Sequence, residues 1–382
     1  MRITGLLLGA TALMATLTSS FAEDIAPEKV TGATIPADLK RLYVVDLAIN
    51  HIVDGRTYVL DANDLSLKGM IEIGFLGTFY TPPKGDKLYV ASTYYDRLTR
   101  GKRADVITVF DPVTLKPLDE IPISQKRAMP IEYRPLMTGS SDGKYIFIQN
   151  ATPATSIQVV NIAGKSSAEL PAPGCYGTYP SIKDAKRVST ICGDGTFGTY
   201  TLNDKGTEGT RVASDKLFDA DKDALFIHGE RSGENYIFIS FNGVVHTVSL
   251  DGDKAKEVDK FPIAEGVEGN WRPGGYQPIA VDDAAGVVHV LMHSNGAEGS
   301  HKNPSEEIWA VDLKAKKVVS RSKAPTLTSL TIAQGKTPAL YAINPLEPSV
   351  VKFSVDAAAG FAATQATSNK VGETAVQLEV SN

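Results

Sequence analysis

The chain has 382 residues, of which 42% are hydrophobic and 22% charged, with 39 Lys and Arg against 44 Asp and Glu. This composition is typical of a folded globular protein and excludes a mainly disordered chain. The net charge of −5 argues against a nucleic-acid-binding protein, which needs a basic face, so small molecules and other proteins are the expected partners.

Residues 1–22 have the pattern of a secretory signal peptide. Arg2 gives a positive start, residues 6–17 are apolar or small, and Ser20-Phe21-Ala22 forms a small-x-small cleavage site. The apolar stretch is short for a membrane span and no later segment reaches 18 consecutive apolar residues, so we expect export and no membrane span. The alternative is an uncleaved anchor.

Export would place Cys175 and Cys192, the two cysteines of the chain, in an oxidising compartment. In an oxidising compartment two thiols can pair, and pairing removes the thiolate that a nucleophilic cysteine needs. The sequence therefore predicts one disulfide, with a reactive cysteine as the alternative.

From residue 41 onward the chain repeats short runs rich in β-branched and aromatic residues. The central positions of these runs lie 43 to 56 residues apart, at Tyr43, Tyr89, Tyr145, Val188, Tyr236, Val288 and Leu340. Each run is followed by a second apolar run, a short turn and a third, more polar strand such as residues 317–321. A period of this length is typical of the blades of a β-propeller.

A four-stranded unit of this size cannot bury both faces alone, so such units stack radially and close into a ring with short edges. Seven repeats predict an all-β, seven-bladed β-propeller over residues 41–382, after an N-terminal arm at 23–40. Asp142-Gly143 and Asn242-Gly243 are hairpin signals between the runs. A series of β-sandwich domains is the alternative, but no Pro- or Ser-rich linker separates the repeats.

Two glycine motifs resemble catalytic or nucleotide-binding signatures. Residues 139–143 match G-x-S-x-G and residues 193–198 match G-x-G-x-x-G. Both functional motifs need a following helix, and here a strand-like run follows each of them. We therefore predict hairpin turns at both places.

Four acidic residues fall at positions 1, 3, 5 and 12 of a calcium-binding loop: Asp219, Asp221, Asp223 and Glu230. Ala224 stands where that loop needs glycine, which favours a solvated acidic loop. The closest histidine spacing, His289 to His293, lies on a strand-like segment and predicts no metal site. With no acid–base pair in view, the residues alone predict an exported propeller that serves in binding or assembly.

Several segments resemble the heavy (large) subunit of the quinoprotein amine dehydrogenases, the methylamine and aromatic amine enzymes. The segments are residues 94–112, Gly69-Met70-Ile71 with Gly74-Phe75, residues 270–276, and Cys175-Tyr176 with residues 190–195. Together they extend from about residue 41 to 345. Residues 149–157 and 292–309 resemble the aromatic amine branch more closely.

The resemblance implies a division of labour between two subunits. The family's heavy subunit is a propeller without a cofactor, and it pairs with a small subunit that carries tryptophan tryptophylquinone, in a two-plus-two heterotetramer. The enzyme oxidises primary amines to aldehyde and ammonia in the periplasm and passes electrons to a blue copper protein of the azurin or amicyanin type. No catalytic residue and no metal are then expected in this chain.

The resemblance also assigns roles to particular residues. Phe75 corresponds to a phenylalanine that lines the substrate channel, with a plain core residue as the alternative, and Cys175 and Cys192 correspond to a disulfide pair. Trp271-Arg272 is expected to be a buried or interface pair. Four basic residues are expected to form a solvated charge cluster: Arg97, Arg100, Lys102 and Arg103. Two functions remain open, an amine dehydrogenase subunit and a propeller that has lost its small subunit and acts as a periplasmic binding protein.

Overall fold

The computed structural model describes residues 34–129 and 133–381. The predicted signal peptide and residues 23–33 of the predicted arm lie outside the described residues. Residues 34–40 lie against the body of the fold, where Ile35 is buried and its N–H donates to the Val113 carbonyl (2.8 Å). Within the described ranges, no helix is both long and apolar enough to cross a membrane.

The strands form seven antiparallel sheets, which we call blades; strands are numbered along the chain and named in hydrogen-bonded order within each blade. Blade 1 contains β29 (Ala375–Val380), β1 (Arg41–Asp46), β2 (Gly55–Asp61) and β3 (Leu67–Gly74). Blade 2 contains β4 (Thr78–Tyr80), β5 (Leu88–Arg97), β6 (Arg100–Phe110) and β7 (Pro117–Ile123). Blade 3 contains β8 (Met137–Gly139), β9 (Tyr145–Asn150), β10 (Ser156–Asn161) and β11 (Ser166–Pro171).

Blade 4 contains β12 (Cys175–Pro180), β13 (Arg187–Cys192), β14 (Phe197–Leu202) and β15 (Gly209–Ala213). Blade 5 contains β16 (Glu230–Ser232), β17 (Asn235–Ile239), β18 (Val244–Ser249) and β19 (Lys256–Pro262). Blade 6 contains β20 (Arg272–Pro273) and β21 (Ile279–Asp282) on the same edge, then β22 (Val287–His293), β23 (Glu307–Asp312) and β24 (Lys317–Lys323). Blade 7 contains β25 (Ser329–Ala333), β26 (Ala339–Asn344), β27 (Ser349–Asp356) and β28 (Ala362–Lys370). In the part of the chain that the structure describes, 3₁₀ helices span Ile49–His51, Arg134–Leu136, Ser300–Lys302 and Ala357–Ala359.

The predicted seven-bladed propeller is confirmed. The first strands in the blades, β29, β4, β8, β12, β16, β21 and β25, all contribute to the wall of one cavity on the axis, so they are the innermost strands. The ring closes within blade 1, where β29 from the end of the chain pairs antiparallel with β1, for example Val44 opposite Leu378. The apolar runs predicted from sequence form the second and third strands of each blade.

Burial explains why those strands were visible in the sequence. β1 and β9 are buried along their whole length, because each blade is covered on both faces by its neighbours. The outermost strands alternate exposed and buried residues instead, as in β7. Each fully buried Val, Leu, Ile or Phe contributes about 1.5 to 3 kcal/mol, so the interfaces between blades hold the ring together.

The antiparallel order gives the ring two distinct faces. All seven innermost strands run in the same direction along the axis, and we call the side on which they begin the upper face and the other the lower face. Connections between blades, and the turns between second and third strands, lie on the upper face. Phe75, which follows β3, is therefore on the upper face, as are Cys175 and Cys192 at the ends of β12 and β13.

His289 on β22 predicts a specific pH dependence of stability. It is fully buried, neither ring nitrogen has a hydrogen-bond partner of good geometry, and burial lowers its pKa to about 4. Between about pH 6.5, the ordinary pKa of histidine, and about pH 4, this side chain is protonated in the unfolded chain but neutral in the folded chain. The free energy of unfolding therefore decreases as the pH falls through this range.

We expect the parent chain to lose up to about 3 kcal/mol through this group between pH 7 and 4, and His289→Leu to lack that loss. The free energy of unfolding in urea, measured across this range, tests the expectation. Exposed His51 supplies the control, because His51→Leu should keep the parent's pH dependence. An equal pH slope in His289→Leu would contradict the assignment.

Candidate functional site

An ion-pair cluster crosses the axis of the ring, with Glu379 buried and Arg134 and Glu230 partly buried. Arg134 begins the 3₁₀ helix before β8, and its guanidinium pairs with Glu230 on β16 and with Glu379 on β29. The Arg134 Nε to Glu379 Oε1 distance is 2.5 Å. Because the three side chains belong to blades 3, 5 and 1, one arginine ties together three blades across the channel.

The two carboxylates of this cluster differ in proton affinity. At Glu379, burial raises the pKa above its ordinary value and outweighs the attraction of Arg134. At Glu230, burial acts in the same direction but is outweighed by Arg134 and by a hydrogen bond from His228, so the pKa is lowered. His228 Nε2 lies 3.0 Å from Glu230 Oε1 and 3.2 Å from the Ile279 carbonyl, and since both are acceptors this nitrogen carries the proton.

Below the cluster, a cavity of about 530 Å³ opens along the axis on the lower face. Its wall is about equally polar and apolar, and the polar part includes Arg134, Arg231 and Tyr236. Arg231 donates to the Tyr236 hydroxyl (3.1 Å) and forms no ion pair within the described residues. The lower cavity therefore contains one arginine held by carboxylates and one that is not.

A second cavity, of about 450 Å³, lies on the upper face beside blades 4 to 6. Its wall is largely aromatic and apolar, with Tyr133 and Tyr276 (ring centroids 6.1 Å apart), Phe226 and Phe241. Tyr133 lines this upper cavity whereas the next residue, Arg134, lines the lower one. The segment before β8 thus lies between a largely apolar cavity and one whose wall contains two arginines.

Two glycines place Tyr276 in the upper cavity. A Cβ on Gly274 would lie 2.4 Å from the Asn303 carbonyl oxygen, and one on Gly275, at φ +108°, would lie 2.3 Å from the Thr328 carbonyl oxygen. Only glycine fits at such approaches. The Tyr276 N–H then donates to the Thr328 carbonyl (2.6 Å), so this motif, singled out by resemblance, interrupts the inner edge of blade 6 and shapes the cavity wall.

Phe75 is half-buried on the upper face and lines neither cavity. Gly74, at φ +62°, turns the chain so that the Phe75 N–H donates to the Thr93 carbonyl (3.1 Å), and the ring meets the edge of Tyr95 with centroids 5.8 Å apart. Buried Arg127 donates to the Phe75 carbonyl (2.7 Å) and the Leu76 carbonyl (2.6 Å). Arg127 therefore fixes the Phe75 loop from 52 residues away, and no local sequence pattern indicates it.

The remaining residues singled out by sequence have structural roles. Cys175 and Cys192 lie opposite each other on β12 and β13 and form a disulfide, and the described residues contain no free cysteine. The two glycine motifs are the predicted hairpin turns, between β8 and β9 and between β13 and β14. Trp271 is buried, and the Arg272 guanidinium lies 5.8 Å from the centroid of the Phe241 ring.

The calcium-loop pattern has a different explanation. Asp223 accepts hydrogen bonds from the Asn242 N–H (2.7 Å) and the Ser240 hydroxyl (2.8 Å), which fixes the β17–β18 turn, and Glu230 pairs with Arg134. The predicted solvated acidic loop is thus wrong for Glu230, because this residue faces the axis from β16. Among the residues that the structure describes, no group of three or more His, Cys, Asp or Glu side chains could hold a metal ion.

The two tryptophans of the chain lie side by side, as a quinone made from two indole rings would require. Trp271 and Trp309 have ring centroids 5.4 Å apart, and the Arg321 guanidinium lies 4.6 Å from each centroid. Both rings are buried in the core shared by blades 5 and 6, and Trp309 Nε1 donates to Glu307 (2.7 Å). Trp309 is fully buried, Trp271 is nearly so, and neither ring lines either cavity, so this pair does not fit a cofactor that must react with a substrate.

Fold and site together define a seven-bladed β-propeller whose upper face combines an aromatic cavity with an ordered phenylalanine. Solved propellers share the fold. The periplasmic gluconolactonase PpgL of Pseudomonas aeruginosa matches with a TM-score of 0.62 and 16% identity, covering 90% of this chain and 99% of that one. A putative 6-phosphogluconolactonase of Bacteroides fragilis matches with a TM-score of 0.64 and 14% identity, covering 91% of this chain and 99% of that one. At these identities the likeness concerns the fold alone.

Residues 38–377 match the family described as methylamine dehydrogenase heavy chain, and the chain belongs to this family. It is 27% identical over 370 residues to the heavy chain of Methylobacillus flagellatus, covering 91% of each chain. It is 28% identical over 336 residues to that of Methylophilus methylotrophus, covering 86% of this chain and 81% of the relative. The resemblance drawn from sequence motifs is confirmed at the level of the family.

Proposed function

We propose that this chain is the large subunit of a periplasmic quinoprotein amine dehydrogenase that converts primary, chiefly aromatic, amines to aldehyde and ammonia. The observation that carries the proposal is the family match over residues 38–377. The partners are a small subunit with tryptophan tryptophylquinone, in a two-plus-two assembly, and a blue copper electron acceptor of the azurin or amicyanin type. The quinone supplies the oxidising chemistry, while this chain shapes the substrate path and excludes water.

The upper face supports this role for the chain. Phe75 presents a half-buried ring whose backbone is held by Arg127 and by Thr93, so the ring can act as a fixed wall against which an amine is oriented. The preference for aromatic amines rests on the segment 292–309, which resembles the aromatic amine branch and contributes Glu298, Gly299 and His301 to the aromatic upper cavity.

Purification from the native source tests the proposal. A tagged form of this chain should bring down a smaller chain with quinone absorbance, and the complex should reduce a dye in the presence of an amine. A chain that purifies alone and without quinone absorbance would overturn it. That result would favour the second candidate, a periplasmic binding protein, because both cavities fall within the usual size of small-molecule sites.

Phe75→Ala should change the relative use of small and aromatic amines. The ring contacts small and aromatic amines to different extents, so its removal should change kcat/KM for the two classes unequally. A contact of this kind is worth about tenfold in kcat/KM. The measurement is the ratio of kcat/KM values for methylamine and an arylalkylamine in the assembled enzyme. Leu118→Ala, which removes an exposed side chain on the outermost strand of blade 2, is the control. An unchanged ratio in Phe75→Ala would count against the channel wall.

A further inference from the structure

A two-stranded ribbon projects from the upper face of blade 2. Its strands, β5 and β6, are the longest among the described residues, at 10 and 11 residues. The inner neighbour β4 pairs with β5 only as far as Ala91, and the outer neighbour β7 pairs with β6 only as far as Asp105. Beyond the pair formed by Thr93 and Asp105, only residues 94–104 continue, and we call this segment the ribbon.

The ribbon is exposed in a way that isolated proteins usually avoid. At about 3.3 Å per residue, its four residues from Tyr94 to Arg97 extend roughly 13 Å beyond the sheet. Within the described ranges one hydrogen bond from outside reaches its backbone, from Gln125 Nε2 to the Arg103 carbonyl (2.6 Å). An isolated two-stranded ribbon is marginally stable, and free strand edges invite pairing with another chain. This geometry favours a ribbon that a partner covers.

The tip of the ribbon is both apolar and basic. Leu98, at the turn, is 75% exposed, which is the largest exposure of any large hydrophobic residue described. The ribbon carries four basic residues and one acidic residue in a chain whose net charge is −5. Exposed Arg100 and Lys102 form no ion pair with any described residue, whereas Arg103 is held by both oxygens of Asp105 (2.7 and 2.6 Å). Two cations with no partner among the described residues therefore lie beside an exposed leucine.

The base of the ribbon adjoins the residue that the proposed function places at the substrate path. The Phe75 ring contacts Tyr95, and the Phe75 N–H donates to Thr93 where the ribbon leaves the sheet. A subunit that places a redox centre against Phe75 must therefore lie beside the ribbon, which extends about 13 Å beyond the end of the blade 2 sheet.

The geometry points to the ribbon as a docking arm for the small subunit, an inference that rests on the proposed function. An acidic surface of the small subunit binds Arg100 and Lys102, and an apolar depression receives Leu98. The basic residues guide association and fix orientation, and Phe75 remains at the substrate path. The charge cluster that the sequence assigned to a solvated face is then covered in the assembled enzyme.

The test reverses charge on the ribbon in the complete enzyme. Complexes carrying Arg100→Glu/Lys102→Glu are purified from the native source beside the parent, and their dissociation on dilution is followed by analytical ultracentrifugation. The control is Lys314→Glu/Lys336→Glu, which makes the same charge change at two exposed lysines on the lower face that form no ion pair with any described residue. We expect the ribbon variant to dissociate at about tenfold higher concentration than parent and control at low salt, with the difference shrinking near 1 M salt, where the Debye length is about 3 Å.

A second readout separates docking from catalysis and from misfolding. At concentrations where the complex is intact, the ribbon variant should keep the parent's kcat with amine, and its thermal unfolding should match the control. Equal dissociation of ribbon variant and parent would overturn the docking arm and leave the proposed function standing. A parent chain that binds no small subunit would overturn both.

Discussion

Replacing Arg134 by methionine is expected to lower the free energy of unfolding by about 3 to 5 kcal/mol. The methionine fills part of the volume of the arginine side chain but leaves buried Glu379 and partly buried Glu230 on the axis without their cation. Burial already raises the pKa of Glu379, so the loss of Arg134 raises it further and raises that of Glu230 as well. Urea unfolding at pH 7 measures the effect.

The sign of the pH dependence separates this mechanism from a loss of packing. A carboxyl whose folded pKa lies above its unfolded pKa binds more protons in the folded state, so Arg134→Met should recover stability as the pH falls toward 5. Arg231→Met is the matched control, because Arg231 lines the same cavity without an ion pair to any described residue, and we expect it to lose about 1 kcal/mol or less. Equal losses in the two variants would contradict the axial cluster.

Removing the disulfide is the second large effect. Cys175→Ala/Cys192→Ala should lower the free energy of unfolding by about 3 kcal/mol, because the bridge closes a loop with a sequence separation of 17 residues and limits the unfolded chain. Reducing the disulfide should lower the free energy of unfolding of the parent by the same amount, whereas a reductant should not change that of the variant. A parent that yields two free thiols when denatured without reductant would show that the bridge does not form.

The fold was predictable from sequence where burial is complete. β1 and β9 are covered on both faces, so they read as unbroken apolar runs, and the spacing of such runs alone counts seven blades. Several innermost strands were not predicted because they are too short to form an apolar run. β4 and β16 have three residues each, and the inner edge of blade 6 is broken at Gly274-Gly275.

The candidate site was less predictable, because its contacts join distant parts of the chain. Arg134 reaches Glu230 across 96 positions and Glu379 across 245, and Arg127 holds the Phe75 loop from 52 positions away. Glu230 matched a linear calcium pattern by its spacing, whereas its environment is set by which innermost strand it occupies. A linear motif records neighbours along the chain, and a propeller axis collects residues from all seven blades.

Amine oxidation by separated and recombined subunits tests the central claim most directly. We predict no amine-dependent dye reduction by this chain alone at any pH, and activity with quinone absorbance once the small subunit is added. Oxidation of an amine by the pure isolated chain would contradict the proposal that the quinone belongs to the small subunit. Trp271 and Trp309 could not explain such activity, because they lie in the core and line neither cavity.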